Sequence, residues 1–147
     1  MLLVQRMRRA EHFGEALLQR TQLWYANASL AFEAGDGHVD IEATWRDLYP
    51  KYVGPHFPEG NHMPANFTHL GGSGYAGAYY TYQWSRAIAL DLFSKFDDGD
   101  LMDPKPARRY REMVLNPGGS LPAAQLVENF LGRPFNLKAY QKYLQAE

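Results

Sequence analysis

"LVQRMRRAEHFGEALLQRTQLWYANASLAF", residues 3–32, decides the fold class. Leu3, Met7, Ala10, Phe13, Leu17, Trp24, Ala28 and Phe32 recur at spacings of three, four or seven, the period of one helix face. The spacing predicts a long amphipathic helix of about eight turns, with Gly14 tolerated inside it. Gly35-Asp36-Gly37 is its stop signal. Working outward, Asp40 is placed to cap a short helix carrying Ile41, Trp45 and Leu48, which should end before Pro50. Gly74 to Phe96 reads as a second long helix, stopped by Asp97-Asp98-Gly99. Asp103-Pro104 combines an N-cap acceptor with proline at the first helical position. Ala107, Tyr110, Met113 and Val114 form the apolar face behind it, and Asn116-Pro117-Gly118-Gly119 ends it. Ser120 is expected to cap a helix through Leu131, closed by Gly132 and Pro134, and Asn136 a last one to about Leu144. Strand-like alternation and internal repeats are absent. The expected architecture is all-α, a single helical domain over residues 1–147. Five to six helices surround one long Gly/Pro-rich loop from Lys51 to Gly72, and loops of about twenty structureless residues are often functional.

Composition narrows the function classes. The chain has 147 residues, 46% of them hydrophobic and 21% charged, which fits a folded domain with a core. Its formal net charge is -1 with Lys and Arg dispersed, so neither a nucleic-acid nor an anionic-membrane surface is indicated. There is no cysteine, which removes disulfides and thiolate metal sites. Met1-Leu-Leu-Val4 is too short for a secretory apolar region, and no run approaches a membrane span. A soluble, cytoplasmic protein is the expectation.

The chemistry-bearing stretch is "FTHLGGSGYAGAYYTYQW", residues 67–84. In a continuous helix Tyr75, Tyr79 and Tyr82 fall within an arc of about 60°, with Tyr80 pointing elsewhere. One reading is a packing stripe. The other is a ligand wall: Gly71, Gly72 and Gly74 free the backbone for close approach, and a phenol in a dry cleft is suited to stabilising an oxyanion. His69 stands at the rim of that loop. The residues alone leave both readings open.

Other constellations point to solvated or structural roles. The glycines precede a helix start as in a phosphate cradle, but no strand precedes them and no G-x-x-x-x-G-K-[ST] occurs. His56, His62 and His69 lie in a loop whose spacing fixes no metal geometry. Glu11 and Glu15 in "EHFGE" share a helix face while His12 points about 100° away, the inverse of the zinc-binding H-E-x-x-H. Asp97, Asp98, Asp100 and Asp103 lack the twelve-residue pattern of a calcium loop.

"MPANFTHLGGSGYAGAYYTYQWSRAIALDLF", residues 63–93, closely resembles the zinc metallopeptidase family of thimet oligopeptidase and bacterial peptidyl-dipeptidase. The matching residues are Phe67, His69, Gly74, Tyr75, Tyr79, Tyr80, Tyr82, Trp84, Asp91 and Phe93. "ARRYREMVLNPGGSLPAAQLVENFLGRPFNLKAYQKYL" looks like the family's C-terminal signature, with its Pro-Gly-Gly-Ser turn and Phe-Leu-Gly-Arg. Residues 3–32 resemble the segment following the family's last zinc ligand, so the likeness spans nearly the whole chain. Ser73 interrupts the glycines, and Arg86 stands where relatives often carry a carboxylate.

The resemblance implies the C-terminal portion of a zincin-like helical peptidase, with the zinc-binding H-E-x-x-H and a third glutamate ligand in a segment upstream. It implies zinc as the cofactor of the complete enzyme, with no metal bound by this chain, and short peptides as substrates. Tyr82 would donate its hydroxyl to the oxyanion formed when zinc-bound water attacks the scissile carbonyl. His69 and Tyr75 would contact the substrate backbone, with Tyr79 beside them, and Gly71, Gly72 and Gly74 would form the loop that closes over the peptide. The isolated chain is expected to be inactive. Self-association is expected where apolar surface would face absent helices. The alternative is a non-catalytic helical module that binds peptide or a partner protein through the tyrosine-lined groove.

Overall fold

A computed structural model describes residues 2–71, 74–96 and 100–145, without the side chains of Arg8, Arg9 and His12. Helices and short turns account for its regular structure, and no β-strand occurs among the described residues. The all-α expectation holds.

The first helical stretch is broken where one long helix was expected. α1 (Leu2–His12) and α2 (Glu15–Glu33) meet at Gly14, whose φ of 77° is left-handed. Glycine takes that conformation without a Cβ clash, so the residue that periodicity treats as tolerated becomes the joint. α2 stops after Glu33, just before Gly35-Asp36-Gly37, with the Ala34 N–H on the Leu30 carbonyl. Asp40 caps α3 (Ile41–Tyr52) as expected, accepting from the Ala43 N–H at 2.9 Å.

α3 nevertheless runs through Pro50 instead of ending before it. Proline removes the N–H that would have bonded the Arg46 carbonyl, a local cost. The compensation comes from α2. The Arg20 guanidinium donates to the carbonyls of Tyr52 at 2.7 Å and Lys51 at 3.1 Å, two groups that a helix end leaves without partners.

The segment expected to be structureless contains two single turns, α4 (Met63–Asn66) and α5 (Thr68–Gly71). Asn61 sets up α4, its side-chain oxygen accepting from the Met63 N–H at 2.9 Å. The helix expected from Gly74 is also shorter. A 3₁₀ turn spans Ala76–Ala78, and α6 covers only Thr81–Phe93. Its expected stop at Asp97-Asp98-Gly99 lies outside the described residues.

Asp103 caps α7 (Pro104–Tyr110), accepting from the Lys105 N–H at 3.0 Å. α7 passes into a π-helical turn, Arg111–Leu115, closed by the Asn116 N–H on the Arg111 carbonyl. Ser120 does not cap the next helix. It ends a 3₁₀ turn, and α8 (Ala123–Leu131) starts after Pro122, ending at Gly132 with φ 74°. Asn136 accepts from the Lys138 N–H at 2.9 Å before α9 (Lys138–Leu144).

The chain divides into two compact units, Met1–Gln83 and Trp84–Ala146. The first is built on an aromatic core: Trp24, Trp45, Phe67 and Tyr79 are buried, with Tyr25, Phe32 and Tyr49 packed against them. Trp24 and Trp45 lie 4.1 Å apart between ring centroids, and the Trp24 indole N–H donates to the Trp45 carbonyl at 3.1 Å. Burying each large side chain contributes about 2–3 kcal/mol. The second unit buries Ala87, Leu126, Phe130 and Leu131, and also Asp91, itself 1% exposed. Asp91 is satisfied by both Arg133 guanidinium nitrogens, at 2.8 and 2.6 Å, and by the Asn136 N–H at 2.9 Å.

Candidate functional site

The first unit carries the site. α5 supplies His69, the turn before α6 supplies Tyr75 and Tyr79, and the first turn of α6 supplies Tyr82. The Tyr82 hydroxyl donates to that of Tyr75 at 3.0 Å and lies 3.3 Å from His69 Nε2. The Tyr75 and Tyr82 rings stack at 5.8 Å, and each presents its face or edge nearly perpendicular to the imidazole. Three hydrogen-bonding groups thus converge, with Tyr75 and Tyr82 38% and 42% exposed. The expected grouping of the tyrosines is observed, but not through one continuous helix face. Tyr75 and Tyr79 precede α6, and the 3₁₀ turn between them supplies the rotation that brings the rings together.

Tyr79 differs from its neighbours. It is 8% exposed, and its hydroxyl donates to Gln22 Oε1 at 2.9 Å. Its ring packs edge-on to His69 at 5.2 Å, Tyr82 at 5.0 Å and Phe67 at 4.9 Å, forming the back wall of the cluster. Burial pushes the Tyr79 phenol above its ordinary value, and the nearby Tyr25 phenol pushes the same way. The hydrogen bond to Tyr75 holds the Tyr82 phenol up, with partial desolvation adding to it. A phenol so held keeps its proton through the neutral range and remains a donor.

The glycines play separate parts. Gly74 has a φ of 101°, and nothing lies within 4 Å of where a Cβ would stand. Gly71 ends α5 with equally open surroundings, and Gly72 lies outside the described residues. The close approach belongs to Gly77, which sequence reasoning passed over. A Cβ there would stand 3.3 Å from the Glu33 Cβ, so the absent side chain lets the 3₁₀ turn lie against α2. Gln22 and Ser29 were also missed. The signal for both was present, because Gln19, Gln22, Ala26 and Ser29 fall within about 80° of one another on α2, a polar-and-small stripe in an aromatic-rich helix.

The remaining constellations stay apart from this cluster. Glu15 accepts from the Gln19 amide at 2.6 Å, and His56 and His62 are exposed. Among the described residues no group of three or more His, Cys, Asp or Glu is gathered closely enough to hold a metal ion. In the second unit the Arg86 guanidinium lies over the Tyr143 ring at 4.7 Å and donates to its hydroxyl. Among the described residues no helix is long and apolar enough to cross a membrane.

The model of peptidase family M3 matches residues 2–146. A thimet-like oligopeptidase of Dictyostelium discoideum is 31% identical over 145 residues, 95% of this chain and 21% of that protein. A probable cytosolic oligopeptidase A of Arabidopsis thaliana is 30% identical over 84% of this chain and 19% of its own length. Oligopeptidase A of Escherichia coli is 32% identical over 56% of this chain and 12% of its own. The chain therefore spans about a fifth of the length of the first two relatives. With a family match over nearly its whole length, this chain belongs to peptidase family M3.

Proposed function

We propose that this chain is the substrate-facing portion of a zincin-like oligopeptidase of the M3 family, acting on short peptides. The observation that carries the reading is the meeting of the Tyr75 hydroxyl and His69 Nε2 at the Tyr82 hydroxyl, 3.0 and 3.3 Å from its oxygen. Peptide hydrolysis places negative charge on the scissile carbonyl oxygen. Tyr82 turns its proton from Tyr75 to that oxygen, exchanging a neutral phenol–phenol bond for a stronger charge-assisted one. His69 and Tyr75 hold the peptide backbone beside it, and Tyr79 backs all three. Gly71 and Gly74, with open space where a side chain would stand, let the backbone there approach the bound peptide closely.

The family's zinc supplies the attacking water in the complete enzyme. The described residues offer no donor set for that ion, and His69 Nε2 faces phenols with no carboxylate among its described ring partners. In this reading the metal ligands belong to another part of the enzyme, and this chain's contribution is binding, orientation and oxyanion stabilisation. By itself it binds peptide without turnover. A cytoplasmic setting accompanies the reading, as in the relative named cytosolic.

Supplying a metal-bearing M3 segment in trans tests it. A quenched peptide should be cleaved by the pair, and Tyr82→Phe should lower kcat by about 10²–10³, the usual loss for one oxyanion donor. Saturable peptide binding with no cleavage by the pair would instead favour a non-catalytic peptide-binding module using the same tyrosines.

A further inference from the structure

The tyrosine segment is not held by its own helix. Ala76 has a φ of 25°, the one non-glycine residue with positive φ among the described residues. L residues avoid that conformation, so something outside the segment must maintain it. Two side chains of α2 do so. Ser29, fully buried, donates its hydroxyl to the Ala76 carbonyl at 2.6 Å. Gln22 accepts the Tyr79 hydroxyl at 2.9 Å. Seven residues separate Gln22 from Ser29, two helical turns, so both project from one side of α2 within about 20°. One clamp grips backbone where the turn begins, and the other grips a side chain where it ends.

Tyr79 is the wall against which His69 and Tyr82 rest. A phenol without a fixed acceptor would rotate or tilt toward water, taking that wall with it. We propose that Gln22 and Ser29 are positioning residues that hold the Tyr75–Tyr82 segment in the arrangement converging on His69 before any ligand arrives. The catalytic consequence rests on the proposed peptidase function; the structural one does not. Preorganised donors need no rearrangement as charge develops, which is where a misplaced wall would be felt.

The test uses nuclear Overhauser cross-peaks between the His69 ring and the rings of Tyr75 and Tyr82 in the 147-residue chain. Gln22→Leu keeps the bulk and removes the acceptor, while Gln22→Glu keeps an acceptor. Expected is a fall of the His69–Tyr82 cross-peak to about half or less in Gln22→Leu and Ser29→Ala, with recovery in Gln22→Glu. Wild-type cross-peaks in a folded Gln22→Leu chain would overturn the proposal, as would their absence from the wild type. Should Gln22→Leu fail to fold, Tyr79→Phe removes the same bond from the other side, and unchanged cross-peaks there overturn it equally. In the trans-complemented peptidase, Gln22→Leu should lower kcat by about tenfold with KM unchanged. A wild-type pair that never cleaves peptide would sink the function but leave the cross-peak result standing.

Discussion

At the scale of single residues, protonation links the site and the two cores to stability. The Tyr79 and Tyr25 phenols are raised by burial, so the unfolded chain releases these protons first as pH climbs past 10.0. Their contribution is complete below that pH and is lost as pH rises toward the folded values. Asp91 behaves oppositely. The Arg133 hydrogen bonds hold its carboxyl below the usual 3.8, with the Asn136 N–H acting the same way. Its contribution is present above 3.8 and disappears as pH falls through the lower folded value. Denaturant midpoints measured across pH should therefore fall at both ends. Tyr79→Phe should flatten only the alkaline limb and Asp91→Asn only the acid one; an alkaline limb unchanged in Tyr79→Phe would refute the first assignment. The tyrosines were legible in the sequence because their spacing is local. The pairing of Tyr79 with Gln22 was not, since the two lie 57 residues apart.

At the scale of elements, helix ends are decided partly at a distance. Pro50 marks a boundary by local rules, yet α3 continues to Tyr52 because Arg20 bonds its last carbonyls. Arg20→Met keeps the aliphatic stem over the surface and removes those donors. Hydrogen exchange of the Val53 and Gly54 amides, which bond the Tyr49 carbonyl, should then speed by about fivefold, the worth of one typical hydrogen bond. Unchanged protection would show that α3 holds its last turn unaided. Caps drawn by adjacent residues were read correctly at Asp40 and Asp103, since donor and acceptor lie within three residues. Ser120 failed as a cap because Leu121 is extended and Pro122 delays the helix start.

At the scale of the whole molecule, α1 stands out. Its described side chains are all exposed, among them Leu2, Leu3, Val4 and Met7, and Phe13 beyond it is 92% exposed. An isolated helix shorter than about 12 residues is marginal in water, so 11 residues with no buried face need a partner. Contiguous apolar exposure of this kind drives association. The partner we propose is the remainder of the peptidase in the complete enzyme, and another copy of the chain when it is alone. Sedimentation velocity should show concentration-dependent association, relieved by Leu3→Glu combined with Met7→Lys. A strictly monomeric chain at all concentrations would count against the surface being an interface.

The helical class, most stop signals, the tyrosine cluster and the family resemblance were determined by the sequence alone. The class and the stop signals rest on interactions within a turn or two, where spacing translates directly into direction. Gly14 shows the limit of even that: periodicity continues across it, but a residue without a Cβ leaves the backbone free to turn. Tertiary structure decided how far α3 runs, how Ala76 is held at positive φ, and which residue accepts the Tyr79 hydrogen bond. The deciding partners are 31, 47 and 57 residues away in the chain. A side chain's reach is a few ångströms, so only packing α2 against α3 and the 3₁₀ turn brings these partners within hydrogen-bonding distance.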